Sequence, residues 1–193
     1  MDLLFATSNK NKVIEMRTLL GPGVRLLSLE DVGCQEEIPE TSDTIEGNAL
    51  QKVRYIIQKY HIDCFADDTG MEVDVLDGRP GVFSARYAGD SRDANKNMDK
   101  VLGELSTQEN RGAQFRTILA LILGGKEFSF EGIMRGTILY EKRGNSGFGY
   151  DPIFQPQGFS RSFAEMNLTE KNGTSHRAAA ALKMAEFLNS RLG

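Results

Sequence analysis

Residues that build thiolate metal sites and disulfide frameworks are scarce in this sequence. The 193 residues include two cysteines and two histidines, and Cys34 and Cys64 share no metal-ligand spacing with either histidine. This scarcity favours a protein kept reduced in the cytoplasm, with one disulfide still compatible with the sequence. Residues 1–6 have neither the basic start nor the long apolar stretch of a secretory signal, which favours the same location.

Long apolar runs and an excess of basic residues are also missing. The longest apolar run, residues 118–123, is far shorter than the roughly 20 residues that a membrane-spanning helix needs. Lysine and arginine total 23 against 27 aspartate and glutamate residues, which gives a formal net charge of -4. Proteins that bind nucleic acid regardless of its sequence are usually basic. We therefore expect neither a membrane nor a nucleic acid as a partner.

Strand and helix patterns alternate in the first half of the chain, and a long antiparallel pair of strands follows. The predicted strands cover residues 2–6, 24–29, 62–66, 71–76, 114–123, 127–139 and 153–154. One predicted helix ends at Gly21-Pro22-Gly23, and the others cover residues 44–60, 92–105 and 175–192. This order predicts an α/β fold with a mixed, twisted central sheet flanked by helices. We expect residues 1–193 to form a single domain of two lobes, with the active site in the cleft between the lobes.

Polar and cationic residues stand at the start of the first and last predicted helices. Thr7-Ser8-Asn9 are good helix caps, and capping alone would explain them. Lys10 and Lys12 lie in the first turn, where the helix dipole disfavours cations unless an anion binds there too. The last helix begins in the same way, with cations around Ser175: Lys171, His176 and Arg177. Two such helix starts favour a ligand with several phosphates over ordinary surface cations.

Three carboxylates stand in loops or at the ends of predicted strands: Glu40, Asp67 and Asp68. Neighbouring side chains on a strand point to opposite faces, so Asp67 and Asp68 do not have the same role. An Asp-Thr-Gly turn that closes a hairpin is the alternative interpretation. Oxygen ligands without a His or Cys cluster are typical of a hard cation such as Mg²⁺.

Three further residues have both an ordinary and a functional interpretation. Lys52 lies beside the apolar stripe of the second predicted helix, where a lysine usually extends along the surface to reach water. Phe148 and Tyr150 flank a glycine in a loop. Aromatic residues in such a loop either stack on a flat ligand or fill the core.

Five sequence blocks, in order along the chain, resemble the inosine triphosphate pyrophosphatases. They are Ala6-Thr-Ser-Asn-Lys-Asn-Lys12; Pro39-Glu-Thr with Gly47-Asn-Ala49 and Lys52; Ala66-Asp-Asp-Thr-Gly-Met-Glu-Val-Asp74 through Pro80-Gly-Val-Phe-Ser-Ala-Arg-Tyr-Ala-Gly89; Gly147-Phe-Gly-Tyr-Asp-Pro-Ile-Phe154; and Lys171 with Ser175-His-Arg-Ala178. The resemblance implies Mg²⁺-dependent hydrolysis of inosine, deoxyinosine and xanthosine triphosphates to the nucleoside monophosphate and pyrophosphate. It also implies a cytoplasmic homodimer that removes aberrant nucleotides from the precursor pool.

The resemblance assigns a role to individual residues. Asp68 would accept a proton from the attacking water, and Glu40 and Asp68 would hold the Mg²⁺. The residues implied to bind the substrate are Thr7, Ser8, Asn9, Lys10, Asn11, Lys12, Lys52, Thr69, Phe148, Gly149, Tyr150, Asp151, Lys171, His176 and Arg177. Among them, residues 7–12 and Lys52 would contact the phosphates and Phe148 would stack on the base. The base edge would be contacted by Lys171, His176 and Arg177.

Two positions depart from the pattern of that family. Ser8 stands where the family often has glycine, and Gly47 stands where it often has glutamate, so we assign Gly47 no metal role. The sequence leaves the role of Asp67 open, and that of residues 78–89, where Phe83 suits either an interface or a cover for a lobe.

Two competing hypotheses for the function remain. One is a regulatory nucleotide-binding protein that has lost its catalytic centre, against which the intact Asp68, Glu40 and Lys12 argue. The other is a pyrophosphatase or phosphatase of another specificity.

Overall fold

The computed structural model describes residues 1–20 and 23–192, and the predicted end of the first helix at Gly21-Pro22 lies outside these ranges. The strands are β1 (Asp2–Phe5), β2 (Arg25–Leu27), β3 (Cys64–Val73), β4 (Pro80–Gly81), β5 (Gly112–Leu123), β6 (Lys126–Ile138) and β7 (Phe154–Pro156). The helices are α1 (Lys10–Leu19), α2 (Ile45–Tyr60), α3 (Ala94–Glu104), α4 (Leu168–Asn172) and α5 (His176–Leu192). Across the ranges described, no helix combines the length and apolar character that crossing a membrane requires.

The strands form one mixed sheet with the order β2-β1-β3-β5-β6-β7, and β4 pairs with β3. Strand β1 runs parallel to both β2 and β3, whereas β3 and β4, and also β6 and β7, are antiparallel. Gly124 and Gly125 join β5 to β6, and their positive φ angles of 56° and 74° suit a two-residue hairpin turn. The predicted mixed sheet, the helices that accompany it and the glycine hairpin are confirmed.

Strand β3 is longer than the sequence predicts. Residues 62–66 and 71–76 read as two strands separated by a possible turn, but one strand runs from Cys64 to Val73. Asp67, Asp68 and Thr69 therefore lie within a strand, and the hairpin-turn interpretation is wrong. Asp67 is completely buried, so the strand continues only because other parts of the chain compensate its charge.

The chain divides into two compact units, in agreement with the predicted pair of lobes. Unit 1 contains Met1–Asp68, Thr117–Gly132 and the residues from Arg177 onward, and unit 2 contains Thr69–Arg116 and Ile133–His176. Two of the four boundaries fall inside sequence blocks that carry predicted site residues, between Asp68 and Thr69 and between His176 and Arg177. The assignment of residues 1–193 to a single domain stays a prediction.

Each unit has its own apolar core. In unit 1 the apolar β1 and β3 lie side by side, and the ring of Phe5 stacks on that of Phe65 with the centroids 4.4 Å apart. In unit 2 the core includes Phe115, whose ring lies edge-on to Phe154 at a centroid distance of 4.7 Å. Apolar burial of this kind is the main favourable contribution to folding. Each core therefore stabilises the strands and helices that carry the polar residues of its unit.

Candidate active site

The start of α1 is capped by its own sequence. Asn9 precedes the helix, and its side-chain Oδ1 accepts hydrogen bonds from the backbone N–H groups of Asn11 at 3.0 Å and Lys12 at 3.3 Å. Thr7 Oγ1 accepts a bond from the N–H of Asn9 at 3.2 Å. Capping is therefore confirmed, and a phosphate at these two N–H groups would have to replace the cap. Lys10, Ser8 and Asn11 are exposed, and their contact with phosphate stays a prediction.

A buried ion cluster lies next to this helix start. Asp67, with 0% of its side chain exposed, has Oδ1 3.0 Å from Lys12 Nζ, and its Oδ2 accepts a hydrogen bond from Arg177 Nε at 3.1 Å. Burial alone would raise the pKa of Asp67, but the charges of Lys12, Arg177 and Lys52 outweigh it and lower the pKa. Asp67 is therefore ionised and neutralises cations of the site, which favours an ion-pair role for it over that of a metal ligand.

Arg177 lies in unit 1, with only 1% of its side chain exposed. Its NH1 donates to Glu15 Oε2 at 2.5 Å in addition to the bond from Nε to Asp67. Burial opposes the charge of Arg177, yet Asp67 and Glu15 raise its pKa overall. Two carboxylates of unit 1 hold the guanidinium. The predicted contact of Arg177 with the base edge stays a prediction.

Glu15 is a member of this cluster that the sequence analysis missed. It is 3% exposed and stands on α1 between Ile14 and Met16. Residues three apart on a helix face the same way, so the spacing from Lys12 to Glu15 was the available signal.

Lys52 connects two further carboxylates and one backbone carbonyl group. Its Nζ lies 2.5 Å from Glu40 Oε1 and 3.5 Å from Asp68 Oδ1, and it donates to the carbonyl oxygen of Asp67 at 2.7 Å. Burial lowers the pKa of Lys52, but the carboxylates of Asp68, Glu40 and Asp67 outweigh this effect and raise it. The side chain is 6% exposed, so the interpretation of Lys52 as a residue that extends to water is wrong.

Asp68 differs from Asp67 in both its exposure and the direction of its pKa shift. Its side chain is 13% exposed, and Asn48 Nδ2 approaches its Oδ2 at 3.5 Å. Burial raises the pKa of Asp68, the charges of Lys52 and Lys12 oppose the rise, and those of Glu40 and Asp67 add to it. A carboxylate with a raised pKa is a stronger base than an ordinary one. The two neighbouring aspartates thus have different properties, as the alternation of a strand requires.

Glu40 and Asp68 together fit one type of metal ion. Both carboxylates lie close to the single ammonium of Lys52, and their like charges repel each other. Among residues 1–20 and 23–192, no group of three or more His, Cys, Asp or Glu side chains is arranged to enclose a metal ion. Two carboxylates suit a cation such as Mg²⁺, which keeps several waters and completes its shell with phosphate oxygens. Zinc and other metals that favour nitrogen or sulfur ligands fit poorly.

In unit 2 the loop after β6 is organised around Asp151. This buried carboxylate accepts hydrogen bonds through Oδ2 from Lys171 Nζ at 2.6 Å and from the backbone N–H of Phe148 at 2.8 Å. Lys171 Nζ also lies 4.7 Å from the centroid of the Phe148 ring. A side chain at Gly147 would bring its Cβ within 2.1 Å of Asp151 Oδ2, so this turn requires glycine. The loop therefore holds one aromatic ring and one buried cation together.

The remaining predicted residues of unit 2 are mostly packed into its interior. Tyr150 is 5% exposed and donates from its hydroxyl to the carbonyl oxygen of Ser84 at 2.8 Å, which confirms the interpretation as a core residue. His176 is 3% exposed, and its ring stacks on Phe115 at a centroid distance of 4.6 Å. Thr69 is half-buried, and Gly149 has a φ angle of 63°, a conformation that favours glycine. Their contacts with substrate stay predictions.

Residues 78–89, which the sequence analysis left without a role, support the neighbouring elements of unit 2. Ser84 Oγ accepts a bond from the N–H of Met71 on β3 at 2.9 Å and donates to the carbonyl oxygen of Gly81 at 2.6 Å. The Tyr150 hydroxyl bonds to the backbone of the same serine. The segment therefore connects β3 with the loop around Asp151. Phe83, in the same segment, is 48% exposed.

Comparison with known proteins agrees with the resemblance seen in the sequence. The chain is 53% identical over 190 residues to the dITP/XTP pyrophosphatase of Flavobacterium psychrophilum, covering 98% of this chain and 100% of the relative. It is 42% identical over 193 residues to the protein of the same name from Bacillus subtilis, covering 98% of each. The solved structure of the Staphylococcus aureus Ham1 protein matches with a TM-score of 0.90 at 30% identity, covering 99% of this chain and 100% of that one. The model of the Ham1 family matches residues 3–187, and the chain belongs to that family.

Proposed function

We propose that this chain hydrolyses deoxyinosine, inosine and xanthosine triphosphates to the nucleoside monophosphate and pyrophosphate, and so removes them from the cytoplasmic precursor pool. The names of its relatives support this substrate class. The observation that carries the proposal is the position of Lys52, whose ammonium lies between the carboxylates of Glu40 and Asp68. The ammonium can offset the negative charge of a triphosphate, and a carboxylate beside it can accept a proton from the attacking water.

The proposed reaction is attack of water on the α-phosphorus. A bond forms between the water oxygen and phosphorus, the bond from phosphorus to the oxygen that bridges to the β-phosphate breaks, and pyrophosphate leaves. Asp68 accepts the proton of the water, and its raised pKa suits that transfer. Lys12 and Lys52 contribute positive charge that offsets the negative charge of the triphosphate.

Glu40 and Asp68 would hold the divalent cation, which we propose to be Mg²⁺. When bound, such an ion neutralises phosphate charge and stabilises the leaving pyrophosphate. Asp67 does not take part in this ligand set, because Lys12 and Arg177 occupy its two oxygens. Its role is to keep the Lys12 ammonium in a fixed position.

The base-side residues belong to unit 2. Phe148 offers a ring for stacking on the purine, and Lys171 and His176 lie in the last of the five sequence blocks that carry the family resemblance. Hypoxanthine and xanthine have a keto oxygen at the position where adenine has an amino group, so a hydrogen-bond donor in the site favours the deaminated bases. A donor left without a partner against adenine costs about 1–3 kcal/mol. For Arg177 a base-edge role competes with the ion pairs described above.

The test is an assay of products over a substrate panel. Deoxyinosine, xanthosine, guanosine, adenosine and pyrimidine triphosphates are incubated with the protein in Mg²⁺ and in excess chelator, and pyrophosphate and orthophosphate are quantified. We expect pyrophosphate from the deaminated purines, with kcat/KM at least about tenfold above that for adenosine triphosphate, and none in chelator. Orthophosphate as the main product would indicate a phosphatase. Nucleotide binding without turnover would indicate a regulatory protein.

Replacing Phe148 by alanine is expected to lower kcat/KM mainly through KM. Stacking of a base on an aromatic ring is worth about 1–3 kcal/mol, which corresponds to about 5–150-fold. The matched control is Phe159→Ala, because Phe159 is a partly exposed phenylalanine of the same unit that lies outside the predicted site. Steady-state kinetics with deoxyinosine triphosphate measure the effect. Equal KM values for the two variants would contradict the stacking role.

We also propose that the protein is a homodimer, as the sequence resemblance implies. The support in this chain is Phe83, a large apolar side chain that is 48% exposed in an otherwise well-bonded segment. Light scattering is expected to give twice the chain mass of 21.4 kDa at micromolar concentration. The variant Phe83→Asp is expected to give the mass of one chain, and a monomeric wild-type protein would contradict the proposal.

A further inference from the structure

Residues 36–42, here called the strap, lie along α2 and are bonded to it by side chains at both ends and in the middle. At one end Glu36 Oε1 accepts bonds from Lys59 Nζ at 2.6 Å and from the Tyr60 hydroxyl at 2.7 Å. At the other end the N–H of Ser42 donates to Asn48 Oδ1 at 2.8 Å. The residue numbers rise along the strap while those of their partners fall, so the strap runs antiparallel to the helix.

The middle of the strap carries Glu40, one of the two proposed metal ligands. The next residue, Thr41, makes two bonds to one side chain: its N–H donates to Gln51 Oε1 at 2.8 Å, and its Oγ1 accepts from Gln51 Nε2 at 2.9 Å. Glu40 itself is bonded to Lys52, the residue after Gln51. The paired carboxamide therefore fixes the backbone directly beside the Glu40 carboxylate.

Gly47 allows the strap to approach the first turn of α2. A Cβ at this position would lie 2.0 Å from Ser42 Oγ and 2.8 Å from Ser42 Cβ, so a larger residue would displace Ser42. Glycine lowers helix stability relative to alanine, and here it sits inside a helix. The departure of Gly47 from the family pattern thus has a physical explanation: it leaves space for the strap.

We propose that Gln51 and Gly47 are positioning residues that hold Glu40 in place for the divalent cation, an inference that rests on the proposed function. Glu40 belongs to a segment outside any helix or strand, and its side chain is 32% exposed. Such a carboxylate loses conformational freedom when it binds a metal ion. Gln51 and Gly47 reduce that loss by fixing the strap before the ion arrives.

The experiment compares Gln51→Leu and Gly47→Ala with the control Gln58→Leu. Gln58 is an exposed glutamine of the same helix, seven residues further along, and takes no part in the strap contacts. Amide hydrogen exchange over residues 36–42 is measured in metal-free protein. Binding of Mn²⁺ without nucleotide is measured by electron paramagnetic resonance, and thermal melting is recorded for each variant.

In the two test variants we expect faster exchange across the strap and a dissociation constant for Mn²⁺ that rises by about 10–100-fold. Saturating metal is expected to restore kcat to within about twofold of wild type, because Gln51 acts through Glu40 and not on the substrate. The control is expected to match wild type in every measurement. Thr41→Val, which removes only the bond from Gln51 Nε2, is expected to give a smaller effect of the same sign.

Several outcomes would overturn the inference. Unchanged exchange and unchanged Mn²⁺ affinity in both test variants would do so, and so would a lower melting temperature with the Mn²⁺ affinity of wild type. The Thr41→Val variant decides the question if Gln51→Leu fails to fold. Absence of Mn²⁺ binding by wild-type protein would also overturn the inference, whereas the proposed function fails separately, if no pyrophosphate is released from deoxyinosine triphosphate in Mg²⁺.

Discussion

Asp68→Asn is expected to lower kcat by about 10²–10⁴-fold, the usual contribution of a positioned general base. Asparagine has nearly the same shape as aspartate but accepts no proton from water at neutral pH. Lys52 keeps its bonds to Glu40 and to the carbonyl oxygen of Asp67 in this variant. The loss should therefore appear in turnover, measured as pyrophosphate release at saturating substrate and metal.

The same substitution is expected to leave the metal-free protein at least as stable as wild type. The folded-state pKa of Asp68 is raised above its ordinary value of 3.8, so the folded state binds a proton more readily than the unfolded chain. For such a group the free energy of unfolding falls as the pH rises from that ordinary value through the raised one. At neutral pH the ionised, buried carboxylate is thus unfavourable, and asparagine removes this penalty.

Thermal melts in chelator test this expectation between pH 4 and pH 8. The melting temperature of Asp68→Asn minus that of wild type is expected to increase as the pH rises. Asp74→Asn is the matched control, because Asp74 pairs with Arg135 at 3.0 Å on the surface and lies outside the candidate site. Its turnover is expected to stay within about twofold of wild type, as surface ion pairs contribute little. Turnover of Asp68→Asn near the wild-type value would show that another group accepts the proton.

The sequence predicts local features of this fold because their causes are local. The Asn9 cap, the Gly124-Gly125 hairpin and the apolar β1 depend on residues within a few positions of one another. Strand β3 shows the limit of such prediction. Asp67 and Gly70 are poor strand residues, so the pattern favours a break at residues 67–70. The strand continues because distant cations compensate Asp67.

The candidate site is less predictable than the fold, since its contacts join remote parts of the chain. Arg177 bonds to Asp67 across 110 positions and to Glu15 across 162. Periodicity carries no information about such pairs, and the local signal for Glu15 is its spacing of three residues from Lys12. Gln51 also looks ordinary in the sequence, and Gly47 stands out there only as a departure from the family pattern. Their importance depends on the path of the strap, which has no regular pattern.

Arg177→Met is the second variant for which we expect a large effect, in this case on stability. Removal of the guanidinium takes from the buried Asp67 and Glu15 the cation that bonds to both, while the Lys12 ammonium stays 3.0 Å from Asp67 Oδ1. Loss of one partner of a buried ion pair costs about 3–5 kcal/mol. Urea unfolding in chelator measures this loss. The double variant Arg177→Met/Glu15→Gln is expected to recover about 0.5–3 kcal/mol, because the second change removes one of the two buried charges that the guanidinium had offset.

The same variants separate the ion-pair role of Arg177 from a base-edge role. If the guanidinium acts by holding Asp67, and through it Lys12, its loss weakens the phosphate side for every nucleotide equally. The ratio of kcat/KM for deoxyinosine triphosphate to that for adenosine triphosphate is then expected to stay within about twofold of wild type in Arg177→Met, assayed at a temperature where the variant is folded. Glu15→Gln, which keeps the bond from Arg177 to Asp67, is expected to preserve the ratio as well.

A ratio that falls by about 5–150-fold in Arg177→Met alone would match a lost hydrogen bond of about 1–3 kcal/mol to the base. In that case the guanidinium must leave its carboxylates when substrate binds, and the energy of the buried cluster would oppose that movement.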